Sequence, residues 1–478
     1  MIPRARLVCP SLRWRHGSFR SERAKIEAAL SAGVGGFILF GGTRAAVTSL
    51  THALRDVAHR PLLLGSDLER GAGQQIHGLT ELPPPAALGY LNDLDATYVA
   101  ASITATEARA VGLNWVFAPV CDLDIEPRNP IVQTRSFGDQ PGGVAAHAAA
   151  WIRGCQEHGA LACAKHYPGH GRTTTDSHEG LPVVETAAAE LQQADVAPFV
   201  AGVQAAVGSI MPAHVAFPGW DPSGAAATFS RPILDYLRTT IGFNGLVVTD
   251  AFIMAGATAA APEGTAAAAA VTAGCDMLLY PTDWAGVVKS MDAVPSERAD
   301  AALARYDAAL KRWGPGESGI LDDATLGENQ RFADGLADRA AHLVRGAAPR
   351  LTRSFSVAMV DDDIGGPYTI PPRNVFHAAV RASGARLTPG RRPGVSRIVL
   401  VYAEPRSWKG RADLGPQSLA KLERLIPGAS LVILFAHPRL VSQIPGDVPV
   451  LCCWHGQALM QRAAARWVTA SDRLSGAG

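Results

Sequence analysis

The sequence predicts a (β/α)8 barrel of the TIM type that is followed by a smaller α/β domain. Short apolar runs alternate with longer alanine-rich stretches of helical spacing, which is the pattern of repeated βα units. Eight such runs occur in the first part of the chain, the number that this barrel requires. Most of them lead into polar residues, at the position where such barrels carry their active sites.

The eight predicted strands are short, apolar and separated by helix-length segments. They are 5–9, 36–40, 62–66, 115–121, 161–166, 209–213, 246–249 and 276–280. Asp67, Asp122, His214 and Asp250 lie at or directly after the ends of four of them. Because the carboxyl ends of parallel strands meet at one face of a barrel, we expect these side chains to lie close together.

The barrel is predicted to occupy residues 1–315 and to close with a helix over 301–313. Gly314, Pro315 and Gly316 then break the chain. A linker over 316–350 is predicted to contain one helix, over 329–345. The small α/β domain, 351–478, has a length within the usual domain range. It has four apolar runs, over 355–360, 397–402, 430–435 and 448–452.

The composition argues against nucleic acid and membrane partners. Lys and Arg number 44 against 43 Asp and Glu, so the chain has almost no net charge. No apolar run has the length of a membrane span, and residues 1–20 lack the apolar segment of a signal peptide. The seven cysteines are scattered without metal-ligand spacing, which favours buried reduced thiols and a cytoplasmic location.

The most informative stretch is 161–184, where an apolar strand leads into a polar, glycine-containing loop. The strand ends on Lys165 and His166, within the motif KHYPGHG (165–171). The loop then carries Asp176 and His178, two residues apart. A carboxylate so close to an imidazole can accept its N–H, fix its tautomer and hold its pKa near working pH. This pair therefore suits a general acid/base.

The motif KHYPGHG followed by Asp-Ser-His resembles glycoside hydrolase family 3, in its β-N-acetylhexosaminidase branch. The resemblance implies that His178 is the acid/base and that Asp176 orients it. It also implies that Lys165 and His166 bind the sugar, although Lys165 can equally form a buried ion pair with a strand-end carboxylate. Two-domain members of the family carry an α/β sandwich after the barrel, so the second domain is expected to be sandwich-like.

Asp250 ends a predicted strand in the motif GFNGLVVTDAF (242–252). A carboxylate at the barrel mouth can attack an anomeric carbon, and the resemblance implies that Asp250 is this nucleophile. The motif ATFS (227–230) and Leu237-Arg238 upstream also resemble the family. Without these motifs, an Asp that caps the following helix would be the simpler interpretation.

Two further residues resemble sugar-binding residues of the family. Asp67 begins DLERGAGQQ (67–75), where the family usually has Asp-x-Glu-Gly-Gly-Arg-x-x-Arg, and Arg135 lies in QTRSFG (133–138). Arg can fork to two oxygens, which suits vicinal hydroxyls or an acetamido carbonyl. The chain departs from the family at Ala72 and Gln75, which occupy the two Arg positions, whereas an Arg occurs earlier, at Arg70.

Other strand-end residues leave two interpretations open. Asp122 and Asp124 can support the site from behind or serve only the fold, and His214, in MPAH (211–214), can equally be a packing residue. His166, His170 and His178 are close in sequence, but Pro168 and two glycines make helical i,i+4 metal ligation implausible. No metal or other cofactor is therefore expected.

The resemblance implies a retaining β-N-acetylglucosaminidase that acts on a GlcNAc-containing carbohydrate, either peptidoglycan fragments or chitooligosaccharides. Three alternatives remain at this point. A neutral His repels phosphate less than a Glu would, which would suit a phosphorylase on the same site. A β-glucosidase would use a Glu from the second domain as its acid. The altered loop 67–75 motivates a third alternative, a degenerate barrel that binds sugar without hydrolysis.

Overall fold

The computed structural model describes residues 3–175, 180–254, 261–315, 321–365, 370–406 and 409–474. The chain divides into two compact units, of which the first comprises 1–81, 93–126 and 136–329, and the second comprises 82–92, 127–135 and 330–478. The predicted domain boundary at residue 315 stays a prediction.

The first unit is built on parallel strands that alternate with helices. Its strands are β1 (Val8–Cys9), β2 (Ser11–Arg13), β3 (Gly36–Phe40), β4 (Leu63–Ser66), β5 (Trp115–Val116), β6 (Leu161–Tyr167), β7 (Ser209–Pro212), β8 (Leu246–Val247) and β9 (Leu278–Leu279). Its helices are α1 (Arg23–Ala32), α2 (Arg44–Ala58), α4 (Leu94–Ala110), α5 (Pro141–Glu157), α6 (Ala188–Gln193), α7 (Ala197–Gln204), α8 (Arg231–Thr239), α9 (Glu263–Ala273), α10 (Trp284–Ser290) and α11 (Ser296–Trp313), while α3 (Pro85–Leu91) belongs to the second unit.

These strands form a ring of eight, because β1 and β2 act as one interrupted strand. Strands β2 to β8 follow one another in a parallel sheet. β9 pairs with β1 in parallel register, Val8 opposite Leu278, and a parallel bridge between Val248 and Met277 connects β8 to β9. The predicted (β/α)8 architecture is confirmed.

The strand predictions were wrong in detail where the backbone departs from regular pairing. Residues 5–7 belong to a 3-10 helix, Pro3–Leu7, and the first strand continues as β2 beyond Pro10, which has no N–H to donate. The predicted strand 115–121 is regular only over β5. Its continuation contains a cis Ala118–Pro119 bond and pairs irregularly with β6, through Cys163 N to Ala118 O and Lys165 N to Pro119 O.

The barrel interior is one apolar cluster with members from all eight strands. It includes Cys9, Ile38, Leu63, Cys163 and Val248, each at most 1% exposed. Because side chains alternate along a strand, the residues two or four positions further along the same strands also point to the barrel axis, nearer its mouth. The apolar cluster therefore forms the floor on which the next layer of side chains rests.

The second unit contains a six-stranded sheet, whose strands are β10 (His342–Arg345), β11 (Ser354–Asp361), β12 (Arg386–Leu387), β13 (Ser396–Ala403), β14 (Leu431–Ala436) and β15 (Val450–Cys452). Their order in the sheet is β10-β15-β14-β13-β11-β12, and only β10 runs antiparallel to its neighbour. The helices are α12 (Asp323–Ala340), which begins in the first unit, α13 (Val375–Ala382), α14 (Pro416–Leu425) and α15 (Ala458–Thr469). The predicted linker helix was too long at its end, since residues 342–345 join the sheet as an edge strand.

The carboxyl ends of β11 and β13 carry a network of buried ion pairs. Arg373 bonds Asp361 at 2.9 Å and Asp363 at 2.7 Å, and it lies 3.5 Å from Glu404. Lys409 lies 3.1 Å from Asp363. Open parallel sheets bind ligands at this kind of switch point, between strands whose connections run in opposite directions. In this sheet, the ion pairs of Arg373 and Lys409 with Asp361 and Asp363 occupy the switch point.

The sequence predicted buried, reduced cysteines and no apolar run long enough to span a membrane. All seven cysteines are buried and unpaired. None of the helices that the structure describes is both long enough and apolar enough to cross a membrane.

Asp276, just before β9, is expected to be the charged residue that contributes most to the stability of the first unit. It is fully buried, and its carboxylate bonds Arg238 at 2.6 Å, Arg298 at 2.6 Å and Arg305 at 3.2 Å. Asp276→Asn should lower the free energy of unfolding by about 3 kcal/mol, because it leaves three arginines without their anion.

Urea unfolding would measure this loss. The matched control is Asp235→Asn, which removes an exposed i,i+4 partner of Arg231 and should cost less than about 0.5 kcal/mol. Equal losses in the two variants would contradict the role of Asp276.

Candidate active site

The layer above the barrel floor brings together charged residues from several strands. Asp67 follows Leu63, Lys165 follows Cys163 and Asp250 follows Val248 at even spacing, so all three point to the axis at the barrel mouth. Sequence analysis predicted each of these as a site residue. Strand periodicity explains why residues far apart in sequence meet here.

Lys165 is held by two carboxylates of the loop after β4. Its Nζ lies 2.8 Å from Asp67 Oδ1 and 2.8 Å from Glu69 Oε1. The side chains of Lys165 and Glu69 are almost fully buried, whereas that of Asp67 is 31% exposed. The ion pair anticipated for Lys165 therefore exists, and Asp67 keeps an exposed edge with which it can accept hydrogen bonds from a ligand. Glu69 was not predicted as a site residue.

His166 lies between two carboxylates. Its Nδ1 is 2.7 Å from Asp122 Oδ2, and its Nε2 is 3.9 Å from Asp250 Oδ2. The hydrogen bond to Asp122 assigns the Nδ1 proton and directs Nε2 into the mouth. The Lys165–His166 peptide bond is cis. Asp250 also accepts from the N–H of Ala251 at 2.7 Å, and its side chain is 17% exposed.

Asp122 organises the backbone of the loop as well as the His166 ring. Its Oδ1 accepts from the N–H of His166 at 3.1 Å and from the N–H of His170 at 2.7 Å. Burial by itself raises the pKa of Asp122, but the electrostatic interactions and hydrogen bonds with His166 and His170 outweigh this effect, and the pKa lies below its usual value. Asp122 therefore remains a carboxylate.

The loop after β6 is held by a hydrogen bond within the loop and by an ion pair to Asp195, which precedes α7. His170 Nδ1 lies 2.7 Å from Thr173 Oγ1, and Arg172 Nε donates to both oxygens of Asp195, at 3.1 and 2.9 Å. Asp176 and His178 lie outside the described residues, so their roles rest on the sequence. In the described part of the chain, no three His, Cys, Asp or Glu side chains are arranged to hold a metal ion.

His214 lies behind Asp250 and is fully buried between Phe229 and Phe252. Its Nδ1 is 2.9 Å from Thr228 Oγ1, and its Nε2 has no hydrogen-bond partner in the described structure. Burial lowers the pKa of His214, although the negative charge of Asp250 opposes the shift. The ring is therefore neutral, and it adds no positive charge beside the Asp250 carboxylate.

Arg135, Arg70 and Gln75, which the sequence analysis also considered, lie in different units of the chain. Arg135 belongs to the second unit, where its guanidinium donates to Ile131 O at 3.3 Å. In the loop after β4, the N–H of Arg70 donates to Gln74 Oε1 at 2.8 Å, and Gln75 Oε1 accepts from Gly41 N at 3.2 Å. Gln75, which occupies a family Arg position, therefore bonds the backbone just after β3.

The described cluster offers a carboxylate, an oriented imidazole and exposed hydrogen-bonding groups at a barrel mouth. Asp250 is placed to attack an electrophilic carbon, while Asp67 and His166 Nε2 can bind polar groups of the same ligand. The double role of Asp122 and the role of Glu69 were missed because both depend on contacts across strands. The sequence signal of Asp122 is its position just after a predicted strand, and that of Glu69 is its match to the Glu of the family pattern Asp-x-Glu.

Comparisons with known proteins show which family the barrel resembles. Residues 7–312 match the glycosyl hydrolase family 3 N-terminal domain. A β-hexosaminidase from Chromobacterium violaceum is 38% identical over 270 residues, which cover 54% of this chain and 74% of that protein. A β-N-acetylglucosaminidase/β-glucosidase from Cellulomonas fimi is 35% identical over 257 residues, which cover 52% of this chain and only 46% of that longer protein.

A solved structure extends the similarity to both units. A glycoside hydrolase family 3 β-N-acetylglucosaminidase from Paenibacillus sp. str. FPU-7 superposes with a TM-score of 0.86 at 25% identity. The superposition covers 99% of this chain and 98% of that one. The second α/β domain is thus part of the shared architecture.

Asp122→Asn is expected to lower the free energy of unfolding by about 3 kcal/mol at neutral pH, because an amide oxygen cannot replace a carboxylate that accepts from His166 and His170. The pKa of Asp122 is lower in the folded than in the unfolded state, so its stabilisation is complete above about pH 4 and is lost as the pH falls through the folded-state pKa. The difference between wild type and variant should therefore shrink in acid.

Urea unfolding between pH 3 and pH 7 would measure this dependence. Asp139→Asn, at an exposed position, is the control and should show little change at any pH. A loss in the Asp122 variant that is the same at all pH values would indicate a packing defect instead.

Proposed function

The chain belongs to glycoside hydrolase family 3, and from this we propose that it is a retaining β-N-acetylglucosaminidase that releases terminal β-GlcNAc from peptidoglycan fragments or chitooligosaccharides. The observation that carries the proposal is the position of Asp250 at the barrel mouth, 3.9 Å from the oriented His166 ring. The names of the β-hexosaminidase relatives support the same activity.

In the first step, Asp250 attacks the anomeric carbon from the face opposite the leaving group. The bond from that carbon to the glycosidic oxygen breaks, and His178 protonates the departing oxygen. The product is a glycosyl ester of Asp250. His214 is neutral, so it leaves the nucleophile its negative charge, and the N–H of Ala251 helps to orient the carboxylate.

In the second step, His178 takes a proton from water, which attacks the same carbon and releases Asp250. Two inversions give net retention of the β configuration. Asp176 accepts the other imidazole N–H of His178 and keeps its tautomer correct. Both steps balance in atoms and charge without a cofactor.

The sugar is bound by groups that surround the nucleophile. Asp67 accepts from hydroxyls with its exposed edge, Lys165 donates to a neighbouring hydroxyl, and His166 presents Nε2 to the sugar. Arg135 is assigned to the sugar by its motif alone. The short distances from Lys165 to Asp67 and Glu69 support a pre-organised site, because the ammonium group is fixed before the ligand arrives.

Asp250→Asn should reduce kcat for 4-nitrophenyl β-GlcNAc by roughly 10⁴-fold, because an amide cannot form the glycosyl ester. Nitrophenol release measures the rate, and NMR of the first sugar released by the wild type should show the β anomer. An α anomer as first product would contradict the retaining mechanism.

The same assay separates the alternative functions. Hydrolysis of the GlcNAc compound in preference to the β-glucoside supports the proposal. Acceleration by phosphate with formation of a sugar phosphate would identify a phosphorylase. Equal activity on glucose would contradict the acetamido preference, and binding of GlcNAc without turnover of any β-GlcNAc glycoside would identify a degenerate barrel.

His178→Ala should act most strongly on poor leaving groups. Chitobiose, whose leaving alcohol needs a proton, should lose 10²- to 10⁴-fold in kcat/KM, whereas the nitrophenyl glycoside should lose much less from the first step. Azide should then accelerate turnover and yield a β-glycosyl azide. His158→Ala, at an exposed position, is the control. Equal losses on both substrates would exclude His178 as the acid.

A further inference from the structure

The layer of side chains at the barrel mouth extends beyond the predicted site residues, to the first two strands. Arg13 pairs with Phe40 in the register of β2 and β3, and Ser11 pairs with Ile38. Paired residues of neighbouring parallel strands point to the same side of the sheet, and Ile38 belongs to the barrel interior. Arg13 and Phe40 therefore point to the axis, as Asp67 and Asp250 do.

Two aromatic rings hold the Arg13 guanidinium. Its central carbon lies 4.4 Å from the centre of the Phe40 ring and 5.1 Å from that of the Tyr280 ring, and its Nε donates to Tyr280 Oη at 2.6 Å. The two rings are 5.5 Å apart. A cation that stacks on rings in this way loses little further freedom when it binds a ligand, so it is pre-organised.

Tyr280 reaches this position through an unusual backbone. It follows Leu279, which points to the barrel interior, so regular alternation would turn the Tyr280 ring away from the axis. Tyr280 instead adopts φ 53°, in the left-handed region, and its ring packs on the interior cluster beside Phe40. Such conformations are uncommon in residues other than glycine, and they concentrate at functional sites.

The charge of Arg13 is not compensated by a carboxylate in the part of the chain that the structure describes; its one hydrogen bond there is to Tyr280. Lys165, the cation on the opposite side of the mouth, differs because Asp67 and Glu69 both pair with it. The Nη groups of Arg13 are thus available as donors, in the same layer as Asp67, Lys165 and Asp250, which we propose bind and cleave the sugar.

Stereochemistry identifies the part of the sugar that faces Arg13. Right-handed βα connections make the strands run anticlockwise when the barrel is viewed from its carboxyl ends. A D-pyranose whose β face points to the viewer is numbered clockwise. The strands of the ring are counted here with β1 and β2 as the first strand. With C1 at Asp250, after the seventh strand (β8), C2 lies at the sixth strand (β7) and C3 at the fifth (β6), near Lys165. The C5–C6 edge then faces the eighth (β9), first (β1 and β2) and second (β3) strands.

We propose that Arg13 is a substrate-binding residue that donates a hydrogen bond from its Nη groups to the 6-hydroxyl of the terminal sugar. Phe40 and Tyr280 hold the guanidinium in place and form the apolar wall beside the C6 methylene. The assignment rests on the proposed function, because it takes Asp250 as the nucleophile for a β-glycoside. It adds a selection for an unsubstituted 6-position, since a bulky 6-substituent would meet these three side chains.

The test pairs a change in the protein with a change in the sugar. Dissociation constants of GlcNAc and 6-deoxy-GlcNAc are measured by calorimetry for wild type, Arg13→Met and Arg13→Lys. In the wild type, loss of the 6-hydroxyl should weaken binding about tenfold, the size of a hydrogen bond from a charged donor. In Arg13→Met, GlcNAc should bind about tenfold more weakly than in the wild type, and the two sugars should bind alike.

Controls separate this role from a structural one. Arg15→Met changes an exposed arginine two residues further along the chain and should leave the wild-type preference for the 6-hydroxyl intact. If Arg13→Met does not fold, Arg13→Lys carries the test, because the shorter point charge loses the stacked position and should weaken the 6-hydroxyl preference.

Three results would overturn the proposal: equal weakening of both sugars by the Arg13 substitution, a loss that follows the 2-acetamido group instead, or no binding of either sugar to the wild type. Because binding is measured without turnover, a wild type that binds GlcNAc but hydrolyses no glycoside would refute the proposed function and still decide the role of Arg13.

Discussion

The Asp122 carboxylate is the group on which the arrangement of the site most depends. It accepts from the His166 ring and from two backbone N–H groups, so it sets both the tautomer of His166 and the path of the chain into the loop. Its burial would favour the neutral acid, but its donors keep its pKa low. A charge that costs desolvation energy is retained here because several groups are oriented by it at once.

The second constraint is the two-residue period of the strands. The same period that buries Cys9, Ile38, Leu63, Cys163 and Val248 in the barrel interior directs the next residues of those strands to the mouth. The side chains that we propose as catalytic and binding groups therefore converge from several strands without any local sequence contact between them. Arg13 and Phe40 share this layer because the pairing register of the first two strands requires it.

The charges of the mouth are paired in different ways, and this difference separates structural from ligand-binding roles. Lys165 and His166 are fixed by carboxylates behind or beside them. Arg13 is fixed by aromatic rings, which orient the cation and leave its outer donors for the hydroxyl that we propose it binds. In the second unit, by contrast, the described charges at the strand ends bond one another.

The sequence alone determined the barrel, the strand-end positions of Asp67, Lys165, His166 and Asp250, and the family, because periodicity and local motifs are encoded in neighbouring residues. It could not determine the partners of Lys165, the double role of Asp122, or the end of the linker helix, where residues 342–345 pair with β15 instead. Tyr280 shows the physical reason most clearly. Alternation predicts that its ring points outward, and only the tertiary structure decides that a left-handed backbone turns it to the mouth, because packing against Phe40 and Arg13 outweighs the local preference.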